Sequence, residues 1–306
     1  CTEAINTVIF GTAKQGGNVV ITAFEHNATF RPLNKLIKTH NITITIVNPN
    51  SLGEITSDDI LNKINDKTYL VIVNQTSNVT GSTVKLNNLG HKLKQKNIML
   101  MVDTAQSAGH EKIDMQSIGA NFLCVAGHKG LFATQGIGAL ILNDANVEPL
   151  KFGGSGSNSL LTTMPEYYPE KLEAGTINTI GISALDAGVG YVEKHLDKIN
   201  GKVEKLSNIL INYLKQNKNI TLYSSNPHSG VISFKFNNLD NNEVCNTLNE
   251  KYKICVRPGL HCAPLIHKFL KTEKTALIRV SISYFNNFCE IKKLIKALNI
   301  IEKNHN

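Results

Sequence analysis

Between residues 19 and 142, short β-branched and apolar runs alternate with longer stretches in which apolar residues recur every three or four positions. The short runs at 19–23, 43–47, 69–74, 98–102, 121–125 and 137–142 predict strands. The stretches at 28–39, 57–65 and 84–96 have helical period. Such alternation predicts an α/β fold, a largely parallel sheet covered by helices on both faces. Ligands of such sheets bind beyond the carboxyl ends of the strands.

Residues 143–180 break this rhythm with a segment rich in Gly, Ser, Asn and Pro, including Gly153-Gly154-Ser155-Gly156-Ser157. A long unperiodic segment inside a compact protein is usually functional. A helical stretch follows at 182–216, with an interruption expected at Asn200-Gly201. Beyond it the pattern predicts strands at 220–223 and 231–236, a helix at 243–252, and a short strand ending at Val256. A helix after Pro264, a strand at 277–283 and a last helix ending near Glu302 complete it. The reading is two domains, a large α/β domain over 1–204 and a smaller α+β domain over 205–306.

With 306 residues, 42% of them apolar, the chain is long enough for a substantial core, which excludes intrinsic disorder and small disulfide scaffolds. The six cysteines are scattered and form no C-x-x-C pair, so no structural zinc site is expected and a reducing, cytoplasmic setting fits. No apolar run approaches the roughly 18 residues of a membrane span. The net charge of +8 raises the question of nucleic acid. The lysines nevertheless lie singly along helical stretches, without an arginine cluster or aromatic platform, so neither a nucleic-acid nor a membrane partner is expected. Only Arg31, Arg257 and Arg279 are arginines among 32 basic residues. Each is therefore a candidate for binding a carboxylate with its planar fork.

Two strand ends carry candidate chemistry. The run Met99-Leu100-Met101-Val102 delivers Asp103, with Gln106 one short turn later; capping a following helix is the plainer role for such an aspartate. The run Phe122-Leu123-Cys124-Val125-Ala126 ends in Gly127-His128-Lys129-Gly130, which puts a lysine at the mouth of a buried strand. A carboxylate to hold a pyridinium nitrogen and a lysine to form a Schiff base are the two protein groups that pyridoxal phosphate requires.

Five ordered segments resemble the motifs of the class V aminotransferase superfamily, and within it the cysteine desulfurases with a short Arg-x-Gly-x-His-Cys loop. They are Glu25-His26-Asn27, Val102-Asp103-Thr104-Ala105-Gln106, Gly127-His128-Lys129, Glu173-Ala174-Gly175-Thr176-Ile177-Asn178 and Arg257-Pro258-Gly259-Leu260-His261-Cys262-Ala263-Pro264. The resemblance runs from Thr2 to Phe285. It implies the type I fold of pyridoxal-phosphate enzymes, with a mostly parallel seven-stranded sheet sandwiched by helices and a smaller C-terminal α+β domain.

By position, the resemblance implies that Lys129 carries the cofactor as a Schiff base, Asp103 pairs with the ring nitrogen and Gln106 bonds the phenolic oxygen. His26 would stack on the ring. Asn78 would lie near the cofactor oxygen and the substrate carboxylate. Thr2, His128 and Thr176, the last from the neighbouring subunit of a homodimer, would hold the phosphate. Arg279 would clamp the substrate carboxylate, with Arg257 beside it. Cys262 would be the sulfur nucleophile, its thiolate favoured by the neighbouring Arg257 and His261. Lys129, Cys262 and His26 are the expected catalytic residues, and no metal is expected. Two departures stand out: Ala126 replaces the family's usual serine, and the chain opens at Cys1 without the family's preceding segment, as an N-terminally truncated member would.

The expected reaction converts L-cysteine to L-alanine, leaving a persulfide on Cys262 for a sulfur-acceptor protein that serves iron-sulfur or thio-cofactor assembly. A selenocysteine lyase or another β-eliminating lyase is the alternative within the same chemistry. A truncated, non-catalytic scaffold is the alternative outside it.

Overall fold

A computed structural model describes residues 1–224 and 228–304. Its larger sheet contains β1 (Asn18–Thr22), β2 (Thr43–Val47), β3 (Thr68–Asn74), β4 (Met99–Asp103), β5 (Phe122–Ala126) and β6 (Gly138–Leu142), in the order β2-β1-β3-β4-β5-β6. The first five strands run parallel, and β6 returns antiparallel along β5. Among the described residues this sheet has six strands where seven were expected: the apolar run before Asn18 is taken up in α1 (Thr2–Gly11), and residues 143–178 form no strand.

Alternation along the strands explains why both faces are dry. Val19, Ile21, Leu70, Ile72, Met101 and Phe122 pack on one face against α1 (Thr2–Gly11) and α2 (Asn27–His40). Val20, Val71, Val73, Leu100, Val102 and Leu123 face the opposite side, beneath α3 (Ser57–Leu61) and α4 (Leu89–Lys94). Successive strand side chains point to opposite faces, so an all-apolar strand requires cover on both. The helix expected at 84–96 shrinks to α4 because residues 84–86 are drawn into extended pairing, with Val84 N–H donating to Gln75 O at 2.8 Å. A four-residue helix, α5 (Met115–Ile118), precedes β5.

Helix α6 (Thr179–Gln216) is continuous over 38 residues. The interruption expected at Asn200-Gly201 does not occur, because one exposed glycine costs only about 1 kcal/mol in a helix and the flanking Ile199 and Val203 are fully buried. The boundary read at 204/205 falls inside this helix. Its first half packs beside Val125 and Leu131 of the large sheet's side. Its second half, with Leu206, Leu210 and Leu214, packs on the smaller sheet.

That smaller sheet is antiparallel, in the order β7 (Ile220–Leu222), β8 (Val231–Phe236), β10 (Leu277–Ser281), β9 (Arg257–Gly259). The helices α7 (Asn241–Tyr252) and α9 (Phe288–Lys303) pack against it through Val244, Leu248, Leu294 and Leu298. The helix α8 (Pro264–Leu270) starts at a proline, as expected. The strand expected to end at Val256 instead begins at Arg257. Lys253 closes α7 in the left-handed conformation, and pairing to β10 starts only where Arg257 meets Arg279. Among the described residues, no helix is long and apolar enough to cross a membrane.

Candidate active site

The carboxyl ends of β1, β3, β4 and β5 deliver Glu25-His26, Asn74, Asp103 and His128-Lys129 to one region, where a cavity of about 960 Å³ opens. Nine of the expected residues line it: Thr2, His26, Asn78, Asp103, Gln106, His128, Lys129, Arg257 and Arg279. The other two do not. Thr176 stands exposed outside its own chain's cavity, and Cys262 sits half-buried at the rim, with Arg257 Nη2 3.8 Å from its Sγ.

Asp103 is 2% exposed and accepts a hydrogen bond from Ala105 N–H at 2.8 Å. It caps no α-helix, since the next one is α5, capped by Asp114. Burial pushes its carboxyl pKa up, against the pull of the Ala105 N–H and the charges of Lys129 and His26. No basic side chain among the described residues forms an ion pair with it. A buried carboxylate without a direct ion pair is costly, so this position suits a ligand that brings a charged N–H.

Lys129 projects into the open cleft, yet enough protein surrounds its ammonium that burial pushes the pKa down; Arg279 adds to this and Asp103 opposes it. The loop that carries it is locked by glycines. A Cβ at Gly109 would stand 2.2 Å from Gly130 O, and one at Gly130 would stand 2.3 Å from Ala108 O. The turn after Asp103 and the turn after Lys129 therefore meet backbone to backbone, which fixes the spacing of the two groups.

His26 is the N-cap of α2, and its Nδ1 accepts from Ala28 N–H at 3.0 Å. Burial lowers its pKa. The neutral ring then carries its proton on Nε2.

The arginines share one ladder position, Arg257 of β9 opposite Arg279 of β10. Burial and the Arg257 charge both depress the Arg279 pKa. Arg279 Nη1 donates to Asn78 O at 3.1 Å, while its buried Nε lacks a partner. Asn78 lines the cavity; one N–H of its Nδ2 donates to His261 O at 2.6 Å, and its Oδ1 is buried without a partner. Ala126 lines the cavity with a methyl group and offers no hydroxyl there.

Glu25 is fully buried and received no role from the sequence, although a charge directly after an apolar strand was a signal. Its Oε1 accepts from Thr22 Oγ1 at 2.8 Å and from Asn74 N–H at 2.7 Å, tying the His26 turn to the end of β3. Burial pushes its pKa up to about 8. An acid whose folded pKa exceeds its unfolded value near 4.5 holds more protons when folded, so stability falls as pH rises from about 4.5 to 8 and is level outside that window. Glu25→Gln reproduces the neutral acid and removes that slope, a difference of a few kcal/mol at pH 8. Urea melts of both proteins at pH 5 and pH 8 check this; an unchanged pH dependence in the variant would falsify it.

The class-V aminotransferase family model matches residues 1–294. A protein of Pyrococcus abyssi named "Probable cysteine desulfurase" is 33% identical over 316 aligned positions, covering 98% of this chain and 77% of the relative. A Yersinia pseudotuberculosis cysteine desulfurase is 30% identical, over 99% of this chain and 76% of its own. Among solved structures, the apo cysteine desulfurase of Thermococcus onnurineus superposes with a TM-score of 0.87 at 27% identity, covering 99% of this chain and 78% of that one. The Escherichia coli cysteine desulfurase reaches a TM-score of 0.89 at 23% identity, a likeness of fold. With a family match over nearly its whole length and relatives of this identity, the chain belongs to the class-V aminotransferase family.

Proposed function

We propose that this protein is a pyridoxal-phosphate-dependent cysteine desulfurase that converts L-cysteine to L-alanine and leaves a persulfide on Cys262. The observation that carries the cofactor is the buried Asp103, with no ion-paired side chain among the described residues, facing a cavity into which Lys129 projects. Thr2 at the first turn of α1, with His128 beside the cavity, suits the phosphate.

Bound pyridoxal phosphate supplies an electron sink for carbanionic chemistry at the substrate Cα. Asp103 would keep the ring nitrogen protonated, and Gln106 and the Nε2–H of His26 would orient the ring. The Lys129 amine would hold the group and, when free, take the Cα proton; its lowered pKa raises the share of free amine for both tasks. Arg279 and Arg257 bind the substrate carboxylate. The Cys262 thiolate attacks the substrate sulfur, so that an S–S bond forms and the C–S bond breaks. Its electron pair stays on carbon, which is protonated and leaves as alanine.

Several further readings rest on this one. Ile177, Ile180, Ile182 and Val189 are exposed near the start of α6, which supports a homodimer in which Thr176 reaches the partner's phosphate site. Residues 205–306 form the smaller α+β domain, joined to the larger through α6. Six free cysteines fit the reducing cytoplasm, and an acceptor protein takes the sulfur onward. Incubation with L-cysteine should yield alanine and add one sulfur atom to the peptide containing Cys262 by mass spectrometry. Pyruvate and free sulfide with an unmodified Cys262 would overturn the reading in favour of β-elimination.

A further inference from the structure

Cys262 is held by two carbonyl contacts. His261 and Cys262 are consecutive non-glycine residues in the left-handed region, with φ of 50° and 59°. Such residues persist only where surrounding structure over-determines them. The His261 carbonyl accepts from Asn78 Nδ2 at 2.6 Å, and the Cys262 carbonyl accepts from Asn27 N–H at 2.7 Å. These two bonds come from the turns that follow β3 and β1, so the loop is pinned to the cofactor side of the cavity at successive residues.

The donor on the β3 side is itself rigid. Ser77 Oγ accepts from Val79 N–H at 3.2 Å and from Thr80 N–H at 3.1 Å, and Ser77 N–H pairs with Ser82 O at 2.9 Å. Ser233 Oγ of β8 donates to Val79 O, and Arg279 of β10 donates to Asn78 O at 3.1 Å. Asn78 thus stands on a braced turn, 6% exposed, with its donor aimed at the loop.

We propose that Asn78 is a positioning residue that tethers the Cys262 loop over the cavity through the His261 carbonyl, with the Asn27 amide as the second tether. This rests on the desulfurase reading, in which Cys262 must reach the substrate sulfur. Two hydrogen bonds oppose two strained residues, terms of comparable size. Losing either bond releases the loop. Arg279 grips the Asn78 main chain, so the group that clamps the substrate carboxylate also braces the tether.

Two variants of the cofactor-loaded enzyme test the tether. Asn78→Asp keeps the shape and removes the donor. Asn27→Pro removes the other donor at the first position of α2, where a proline is tolerated, and His26, with φ −74° and ψ 159°, already has the backbone that a following proline requires. In both variants, hydrogen exchange of the amides of residues 259–263 should accelerate at least tenfold while the strands of the large sheet exchange as before. The kcat for alanine formation should fall at least tenfold in both, with the affinity for L-alanine, read from the visible absorbance, unchanged in Asn27→Pro, which adds no charge beside Arg279. Unchanged exchange in the loop in either variant would overturn the tether. So would weaker L-alanine binding in Asn78→Asp with a silent Asn27→Pro, which would make Asn78 a substrate contact alone. Failure of the unaltered enzyme to form a persulfide would sink the desulfurase reading, and the exchange measurement would still decide the tether.

Discussion

Lys129→Ala should fold normally, form no borohydride-reducible link to pyridoxal phosphate, and lose at least about 10³-fold of its alanine production, since a positioned acid-base group alone contributes about 10²–10⁴. Reduction of the loaded wild-type protein followed by peptide mapping should put the pyridoxyl group on Lys129. The expectation is specific because a single lysine meets three conditions at once. It follows a buried strand, its backbone is fixed against the turn carrying Asp103, and burial lowers the pKa of its ammonium. Recovery of the pyridoxyl group on any of the other lysines would sink the assignment.

Cys262→Ser should have an equally large effect of a different kind. The variant keeps the cofactor and its colour, because Asp103, Lys129, His26 and Thr2 line the cavity and Cys262 stands at its rim. Persulfide formation should nevertheless collapse, since a hydroxyl has no sulfur-sulfur bond to make. The measurement is a pair: visible absorbance on adding L-cysteine, which should still change, and total sulfur transferred to a thiol acceptor, which should fall to background. Near-normal sulfur transfer would leave a β-eliminating lyase in place of a desulfurase.

The strands were the most legible part of the sequence. Residues 69–74 and 98–102 are β-branched or apolar without interruption, and a run of that kind has one stable home, between two helical layers. Legibility fell where the local pattern competed with pairing. Residues 84–88 have helical spacing, yet the Gln75 carbonyl claims the Val84 amide. Arg257-Pro258-Gly259 has no strand pattern and becomes β9 only because β10 offers an open edge. Gly201 is a helix breaker by rule and is overridden by the buried Ile199 and Val203.

The same division holds at the site. Asp103 and Lys129 were readable because strand ends must deliver their next residues to one edge of the sheet. Glu25 was visible as a charge after a strand, but its role depends on the Asn74 amide contributed by another strand. Asn78 was placed correctly near the cavity, and what its amide bonds depends on a loop that follows 183 residues later. Contacts over such separations have no signature in local spacing.

Helix α6 has a mechanical consequence. Its 38 residues span about 57 Å at 1.5 Å per residue, and it is packed on the large sheet at one end and on the small sheet at the other. It is therefore one of the links between the Lys129 side and the Cys262 side of the molecule, beside the core that Ala263, Ile266 and Leu277 share with the large sheet. A flexure of one degree at its midpoint displaces either end by about 0.5 Å, given the rise per residue, and misplacing reacting groups by about 1 Å can cost about 10²-fold in rate. Such bending at Gly201 is resisted twice over, by the buried Ile199 and Val203 on either side of it and by the Asn27 and Asn78 bonds that hold the Cys262 loop to the large sheet's turns.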